Sequence, residues 1–192
     1  MKKIDSRDFI NFWEKYYDEG KYPDEIYFKC INKKLWKVGN LDRIFEWKNG
    51  SRLSSKKQKI LKKVYKNLEQ INSFRNIKNL SEKLFEDFYK KICCNIISSG
   101  LVWRIFLVHL THPETYPMVD KFNYIAYQFL ENNKLLNKKE ADEILRKEQL
   151  KVYHPFKIFF IKLNEKINNQ RRVDRALMAF GQFLTNPQKF LK

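Results

Sequence analysis

The feature that most constrains this sequence is the stretch from Leu101 to Leu110, LVWRIFLVHL, which is apolar on almost every side. Arg104 and His109 interrupt the stretch, and it is too short to cross a bilayer. It therefore predicts a helix buried inside the protein. The following His112-Pro113 ends that helix, because the residue before a proline disfavours helical backbone. Other elements of the chain must cover this helix.

Those other elements are predicted to be helices, because apolar residues recur at three- and four-residue spacing along the chain. Five Gly and five Pro among 192 residues favour long helices over a sheet with many turns. The segments with helical periodicity lie near residues 5–19, 23–31, 40–49, 55–74, 81–94, 119–130, 138–147, 150–166 and 171–184. His154-Pro155 predicts a further helix boundary. We expect one all-α domain over residues 1–192, or two helical lobes with a cleft between them.

The charge of the chain indicates a polyanionic partner. It has 39 Lys and Arg against 22 Asp and Glu, a formal net charge of +17. So much like charge opposes compaction unless a partner neutralises it, although a lysine-rich surface can also be only solubilising. Lysines crowd the first half of segment 55–74, and Lys33-Lys34 and Arg171-Arg172 add to them. As a set they predict backbone binding that weakens with salt, and no groove-reading module is recognisable.

The cysteines and the first residues point to a reducing, cytoplasmic setting. Cys30 and the adjacent pair Cys93 and Cys94 do not form a disulfide framework. Residues 1–5, MKKID, lead into charged positions and not into the apolar run of a signal peptide. His109 and His112 have no third ligand at a recognisable spacing, so we expect no metal. We also expect no cofactor, no membrane contact and a monomer.

The window from Ser98 to Phe129, SSGLVWRIFLVHLTHPETYPMVDKFNYIAYQF, carries the functional hypothesis. A turn containing Gly100 leads into the buried helix, and a loop then reaches Pro117-Met118-Val119-Asp120 at the start of the next helix. This order resembles the core of the helix-hairpin-helix superfamily of DNA glycosylases. The resemblance implies the fold of that superfamily and a duplex DNA partner with a flipped base.

The same resemblance implies a role for Asp120, which matches the catalytic carboxylate of the family. The hairpin maps onto Ser98–Val102, where Gly100 stands alone although the family usually has two glycines. The lysine of the bifunctional members is also missing, since Val102, Trp103 and Arg104 follow the hairpin. The chain is therefore expected to be a monofunctional N-glycosylase without lyase activity, in base-excision repair or in defence against modified foreign DNA.

The chemistry of base excision gives these residues their expected roles. A carboxylate stabilises the oxocarbenium charge that develops on the sugar and can activate water, and the extruded base needs aromatic walls. The expected catalytic residue is Asp120. The expected pocket residues are Trp103, Tyr116, Phe122, Tyr124 and Trp47. The expected contacts to the nucleic-acid backbone are Gly100, Leu101, Val102, Arg104, Lys48, Lys56, Lys59, Lys63 and Lys121.

Other interpretations of the same residues remain open. Asp120 before an amphipathic helix is also a routine N-cap, which contributes about 1 kcal/mol to stability. The chain could be a DNA- or RNA-binding protein of this fold without chemistry. It could also be a helical protein that binds an acidic protein partner.

Overall fold

The computed structural model describes residues 5–97 and 100–190, and these residues form helices joined by turns and loops, with no strand among them. The prediction of an all-α protein is confirmed. The helices are α1 (Ser6–Trp13), α2 (Asp24–Ile31), α3 (Asp42–Asn49), α4 (Ser55–Lys66), α5 (Leu68–Arg75), α6 (Glu82–Phe88), α7 (Cys94–Ile96), α8 (Leu101–Thr111), α9 (Lys121–Asn132), α10 (Lys138–Lys147), α11 (Leu150–Ile167) and α12 (Gln170–Thr185). Short 3₁₀ turns follow α1 (Glu14–Tyr16) and α12 (Pro187–Phe190), and a π-helical turn (Tyr89–Cys93) joins α6 to α7.

The described chain divides into two compact units. Unit 1 contains residues 5–17, 100–105 and 114–190, and unit 2 contains residues 18–97 and 106–113. In unit 1, α12 is the central helix, and it packs against α1, α9 and α11. In unit 2, α2 packs against α3, and α4 against α7.

The helix predicted from the apolar stretch is α8, and it is buried as expected. From Arg104 to Leu110 every side chain is buried. Gly100 precedes it with φ +92°, a left-handed backbone that glycine adopts at least cost. Ser98 and Ser99, the first residues of the expected hairpin, lie outside the described residues. No helix of the described chain is both long and apolar enough to span a membrane.

The prediction of a single helix over residues 55–74 is wrong, because two helices, α4 and α5, meet at Asn67. The backbone of Asn67 leaves helical geometry, with φ −110° and ψ 18°. Its side-chain amide donates to the carbonyl of Lys63 at 2.9 Å. An asparagine that bonds to the backbone in this way competes with continuation of the helix. The buried residues of α4 are Leu61 and Val64.

The boundary expected at His154-Pro155 is also wrong, since Pro155 lies inside α11. The helix begins at Leu150, so Pro155 falls in its second turn. A proline at this position removes one backbone hydrogen bond near the helix start, and the buried Tyr153, Phe156 and Phe160 hold the helix in place. Packing therefore overrides the local preference of the dipeptide.

Candidate nucleic-acid interface

One face of α4 carries five exposed lysines, and we call it the lysine face: Lys56, Lys59, Lys62, Lys63 and Lys66. The helix forms because Leu61 and Val64 are buried on its opposite side. At 3.6 residues per turn the five lysines share one sector of the helix surface. From Lys56 to Lys66 the face is about 15 Å long, at 1.5 Å per residue.

The lysine face differs in its lack of acidic partners from several other lysine-bearing segments of the chain. Lys29 pairs with Glu25 at 2.8 Å, and Lys90 pairs with Glu86 at 2.7 Å. Lys91 and Lys147 likewise have an acid four positions earlier. No Asp or Glu occurs between Glu46 and Glu69, and no lysine of the face has an ion pair within the described residues. Its positive charge is therefore not compensated locally.

Two side chains of α4 outside the face tie the helix to its surroundings in unit 2. The hydroxyl of Tyr65 accepts from the backbone N–H of Leu41 and donates to Oδ2 of Asp42, each at 3.0 Å. Burial raises the pKa of Tyr65 to about 12, so the phenol keeps its proton at neutral pH. Half-buried Lys57 donates to Oδ1 of Asn49, and burial lowers its pKa. These contacts fix α4 while its lysine face stays in solvent.

Asp120 is the N-cap of α9. Its Oδ1 accepts from the backbone N–H groups of Phe122 at 2.9 Å and Asn123 at 3.0 Å. Its extended backbone explains why α9 begins at Lys121 and not near Val119. The cap interpretation of Asp120 is therefore confirmed, and the side chain remains partly exposed.

The start of α9 is held tightly against α12. A Cβ on Gly181 would lie 2.0 Å from the backbone carbonyl oxygen of Phe122, so only glycine allows this approach. Nearby, buried Asn123 donates to Oδ1 of Asp174 at 2.7 Å. Asp174 also pairs with buried Arg171. The position of Asp120 is therefore fixed by the packing of two helices.

The residues expected to form a base pocket are mostly covered. Tyr116, Tyr124 and Trp47 are 1%, 3% and 6% exposed, and only Phe122 and Trp103 are partly exposed. The Lys157 ammonium lies 4.1 Å from the ring centre of Tyr116, and Gln128 donates to the Tyr124 hydroxyl at 3.0 Å. Burial raises the pKa of Tyr124. Four of these residues belong to unit 1 with Asp120, whereas Trp47 belongs to unit 2.

An open groove of about 540 Å³ lies elsewhere in unit 1, at the start of α10. It contains none of the expected pocket residues. Its lining residues are Leu135, Leu136, Asn137, Lys138, Lys139, Glu140, Leu184 and Thr185.

The residues around α8 that were expected to contact a nucleic-acid backbone differ in accessibility. Leu101 is fully buried, while Gly100 and Val102 are partly exposed. Arg104 is 7% exposed and donates to Oε1 of Gln149 at 2.8 Å, so its guanidinium presents little surface to DNA.

The remaining expected contacts separate into paired and solvent-facing cations. Lys121 pairs with Asp142 at 3.2 Å, and the Lys48 ammonium lies 5.9 Å from the ring centre of Phe106. Arg171-Arg172 is structural, because Arg172 donates two bonds to the carboxylate of Glu14, at 2.7 and 2.6 Å, and Arg171 is buried. Lys56, Lys59 and Lys63 lie on the lysine face, together with Lys62 and Lys66 from the lysine-rich first half of the predicted segment 55–74. Their i, i+3 and i+4 spacing is the signal that identifies them.

The described residues contain no group of three or more His, Cys, Asp and Glu side chains placed to hold a metal ion. Among the expected backbone contacts, Lys56, Lys59 and Lys63 are exposed and have no ion pair within the described residues. No protein-family model, curated protein or solved structure matches the chain.

Proposed function

We propose that this protein binds double-stranded DNA through its phosphate backbone, using the lysine face of α4. The observation that carries the proposal is the exposure of Lys56, Lys59, Lys62, Lys63 and Lys66 on one helix face without acidic partners in the described chain. A protein with a net charge of +17 that leaves this face uncompensated gains most from a polyanion.

The spacing of charges suits a nucleic-acid backbone. Duplex DNA carries one negative charge per about 1.7 Å of its axis, so a face about 15 Å long meets several phosphates. Each lysine that neutralises a phosphate releases condensed counterions, and this release supplies the affinity. The other exposed side chains beside these lysines are Ser55 and Gln58, and neither is aromatic. Binding is therefore independent of base sequence.

A charge-matched comparison tests the proposal. In the face variant, Lys59, Lys62 and Lys63 are changed to Gln. In the control, the ion-paired Lys29, Lys90 and Lys91 of the same unit are changed to Gln, which alters the net charge by the same amount. Fluorescence anisotropy with a labelled duplex is expected to show affinity lowered at least about tenfold for the face variant and less than about threefold for the control. Equal losses would mean that net charge alone drives binding.

Base excision at Asp120 is the second candidate function. The observation in its favour is that Asp120 is partly exposed and held rigidly at the start of α9, with both cap bonds on the same oxygen, Oδ1. A carboxylate fixed in this way is suited to stabilise positive charge on a sugar. Among the expected pocket residues, the burial of Tyr116, Tyr124 and Trp47 leaves Trp103 and Phe122 with accessible surface.

This second function is tested with duplexes that carry varied base lesions, followed by alkali to cleave abasic sites. Wild-type protein is expected to produce alkali-labile strands. Asp120→Asn keeps the helix cap and is expected to abolish cleavage without weakening DNA binding. Cleavage that survives in the Asn variant would remove Asp120 from the chemistry.

A further inference from the structure

A short loop of unit 2, residues 33–38 with the sequence KKLWKV, presents two apolar side chains to solvent. Leu35 is 53% exposed and Val38 is 74% exposed. Lys33, Lys34 and Lys37 are exposed around them. No acidic residue occurs between Glu25 and Asp42, so the loop is positive as well as apolar at its surface. We call it the 33–38 loop.

The 33–38 loop is rigidly anchored by Trp36, which is 1% exposed. The indole N–H donates to the carbonyl of Cys30 at 3.0 Å. The backbone N–H of Trp36 donates to Oδ1 of Asn72 at 3.1 Å, and its carbonyl accepts from Nδ2 of Asn72 at 2.9 Å. Leu35 is therefore held outward by the anchoring of the residue next to it.

Arg75 and Asn40 fix the two ends of the same loop. The Arg75 guanidinium lies 4.5 Å from the ring centre of Trp36 and donates to the carbonyls of Ile31 and Lys33. The side-chain Oδ1 of Asn40 accepts from the backbone N–H of Lys37 at 3.0 Å. The backbone N–H of Asn40 donates to the carbonyl of Lys37, also at 3.0 Å. The exposed position of Val38 therefore belongs to an ordered turn.

Tyr65 links α4 to the backbone that follows the loop. The Tyr65 hydroxyl bonds to Leu41 and Asp42, three and four residues beyond the loop, at 3.0 Å each. On α4 the neighbours of Tyr65 at i−3 and i+1 are Lys62 and Lys66 of the lysine face. Tyr65 therefore joins the helix that carries the lysine face to the backbone that follows the loop.

We propose that the 33–38 loop is a wedge, in which Leu35 and Val38 insert between stacked base pairs of the duplex held by the lysine face. This inference rests on the proposed DNA binding and adds the way in which the duplex is deformed. Inserted apolar side chains unstack a base step and kink DNA, and a rigid loop is suited to this because it does not yield when it enters the stack. The flanking lysines match the phosphates on either side of the opened step. An anionic lipid surface carries negative charge as the DNA phosphates do, so the experiment also tests lipid vesicles.

The experiment uses a duplex that contains 2-aminopurine, whose fluorescence rises when the base is unstacked, together with anisotropy to report binding. Wild-type protein is expected to raise the fluorescence. Leu35→Ser/Val38→Ser is expected to bind within about tenfold of wild type with the same salt dependence, yet give no rise. The matched control, Leu135→Ser/Ile158→Ser, changes two exposed apolar residues of unit 1 and is expected to keep the rise.

The outcomes separate the wedge from the binding on which it rests. No binding by wild-type protein overturns both proposals. Binding without a rise in fluorescence, or a rise that persists in the loop variant, overturns the wedge alone. Vesicles of phosphatidylcholine with phosphatidylserine provide the lipid arm. If the loop substitutions abolish vesicle binding and leave the duplex fluorescence unchanged, the loop is a membrane contact and the wedge is wrong.

Discussion

The side chain of Asn72 brackets the backbone of Trp36, since its Oδ1 accepts from the Trp36 N–H at 3.1 Å and its Nδ2 donates to the Trp36 carbonyl at 2.9 Å. One amide thus replaces the pairing that a strand or helix neighbour would supply. If the amide were removed, both backbone groups would lose their partner. Because Trp36 is buried, water would not readily replace it.

The first prediction therefore concerns Asn72→Ala. We expect the free energy of unfolding to fall by about 2 kcal/mol, because two partly buried backbone groups are left without partners. Urea denaturation measures the change. Gln70→Ala, at an exposed position of the same helix, serves as the control and should change stability by less than about 0.5 kcal/mol. Equal effects at the two positions would show that Asn72 does not hold the loop.

A second prediction concerns the close approach of α12 to α9 at Gly181. Gly181→Ala places a Cβ 2.0 Å from the carbonyl oxygen of Phe122, and a backbone atom cannot move aside as a flexible side chain can. We expect a loss of about 3 kcal/mol or more in the free energy of unfolding. Gly20→Ala is the control, because the nearest atom to its Cβ is Oδ1 of Asp18 at 3.7 Å, an ordinary contact. A stable Gly181→Ala protein would contradict the packing described for the two helices.

A third prediction separates the two substitutions of Asp120. Asp120→Ala removes the acceptor for the N–H groups of Phe122 and Asn123 and should lower the free energy of unfolding by about 1 kcal/mol. Asp120→Asn keeps an oxygen at the cap and should lower it by less than half as much. Thermal unfolding followed by circular dichroism reports both. A severe loss with Asn would show that the negative charge itself is structural.

A fourth prediction is the pH dependence that arises from Glu14. The hydrogen bonds from Arg172 hold the pKa of the Glu14 carboxyl below its ordinary value of 4.5. A lowered folded-state pKa means that the stabilisation is complete above the unfolded-state value and is lost as the pH falls through the folded-state value. Because the Arg172 side chain is 37% exposed, solvent screening limits the contribution to about 1 kcal/mol.

The measurement for Glu14 is urea denaturation of wild type and Glu14→Gln at several pH values. The two proteins should differ by about 1 kcal/mol at pH 7. They should converge as the pH falls below the ordinary carboxyl range and the wild-type carboxyl takes up its proton. A difference that stays constant over this range would assign the effect to packing and not to the ion pair.

The helical class, the burial of α8 and the cap at Asp120 follow from local patterns, because periodicity, capping residues and apolar runs act within one or two turns of a helix. The break at Asn67 is also local, since its side chain bonds back to Lys63 within about one turn, but apolar periodicity does not reveal it. The continuation of α11 through Pro155 depends instead on packing that overrides a local preference.

The candidate site divides in the same way. The lysine face follows from spacing within α4, whereas the burial of Tyr116 and Tyr124 depends on residues distant in sequence, such as Lys157 above the Tyr116 ring. The outward position of Leu35 could not be predicted from its neighbours, because it results from Asn72 and Arg75 on another helix. Long-range contacts of this kind leave no local pattern in the sequence.

The salt dependence of duplex binding tests the central claim most directly. For wild type, the logarithm of the binding constant should fall linearly with the logarithm of salt concentration. Changing Lys59, Lys62 and Lys63 to Gln should reduce the slope by about 0.9 for each lysine that contacts a phosphate, whereas the same change at Lys29, Lys90 and Lys91 should leave it nearly unaltered. A slope that is the same in wild type and in the face variant would contradict DNA binding through the lysine face.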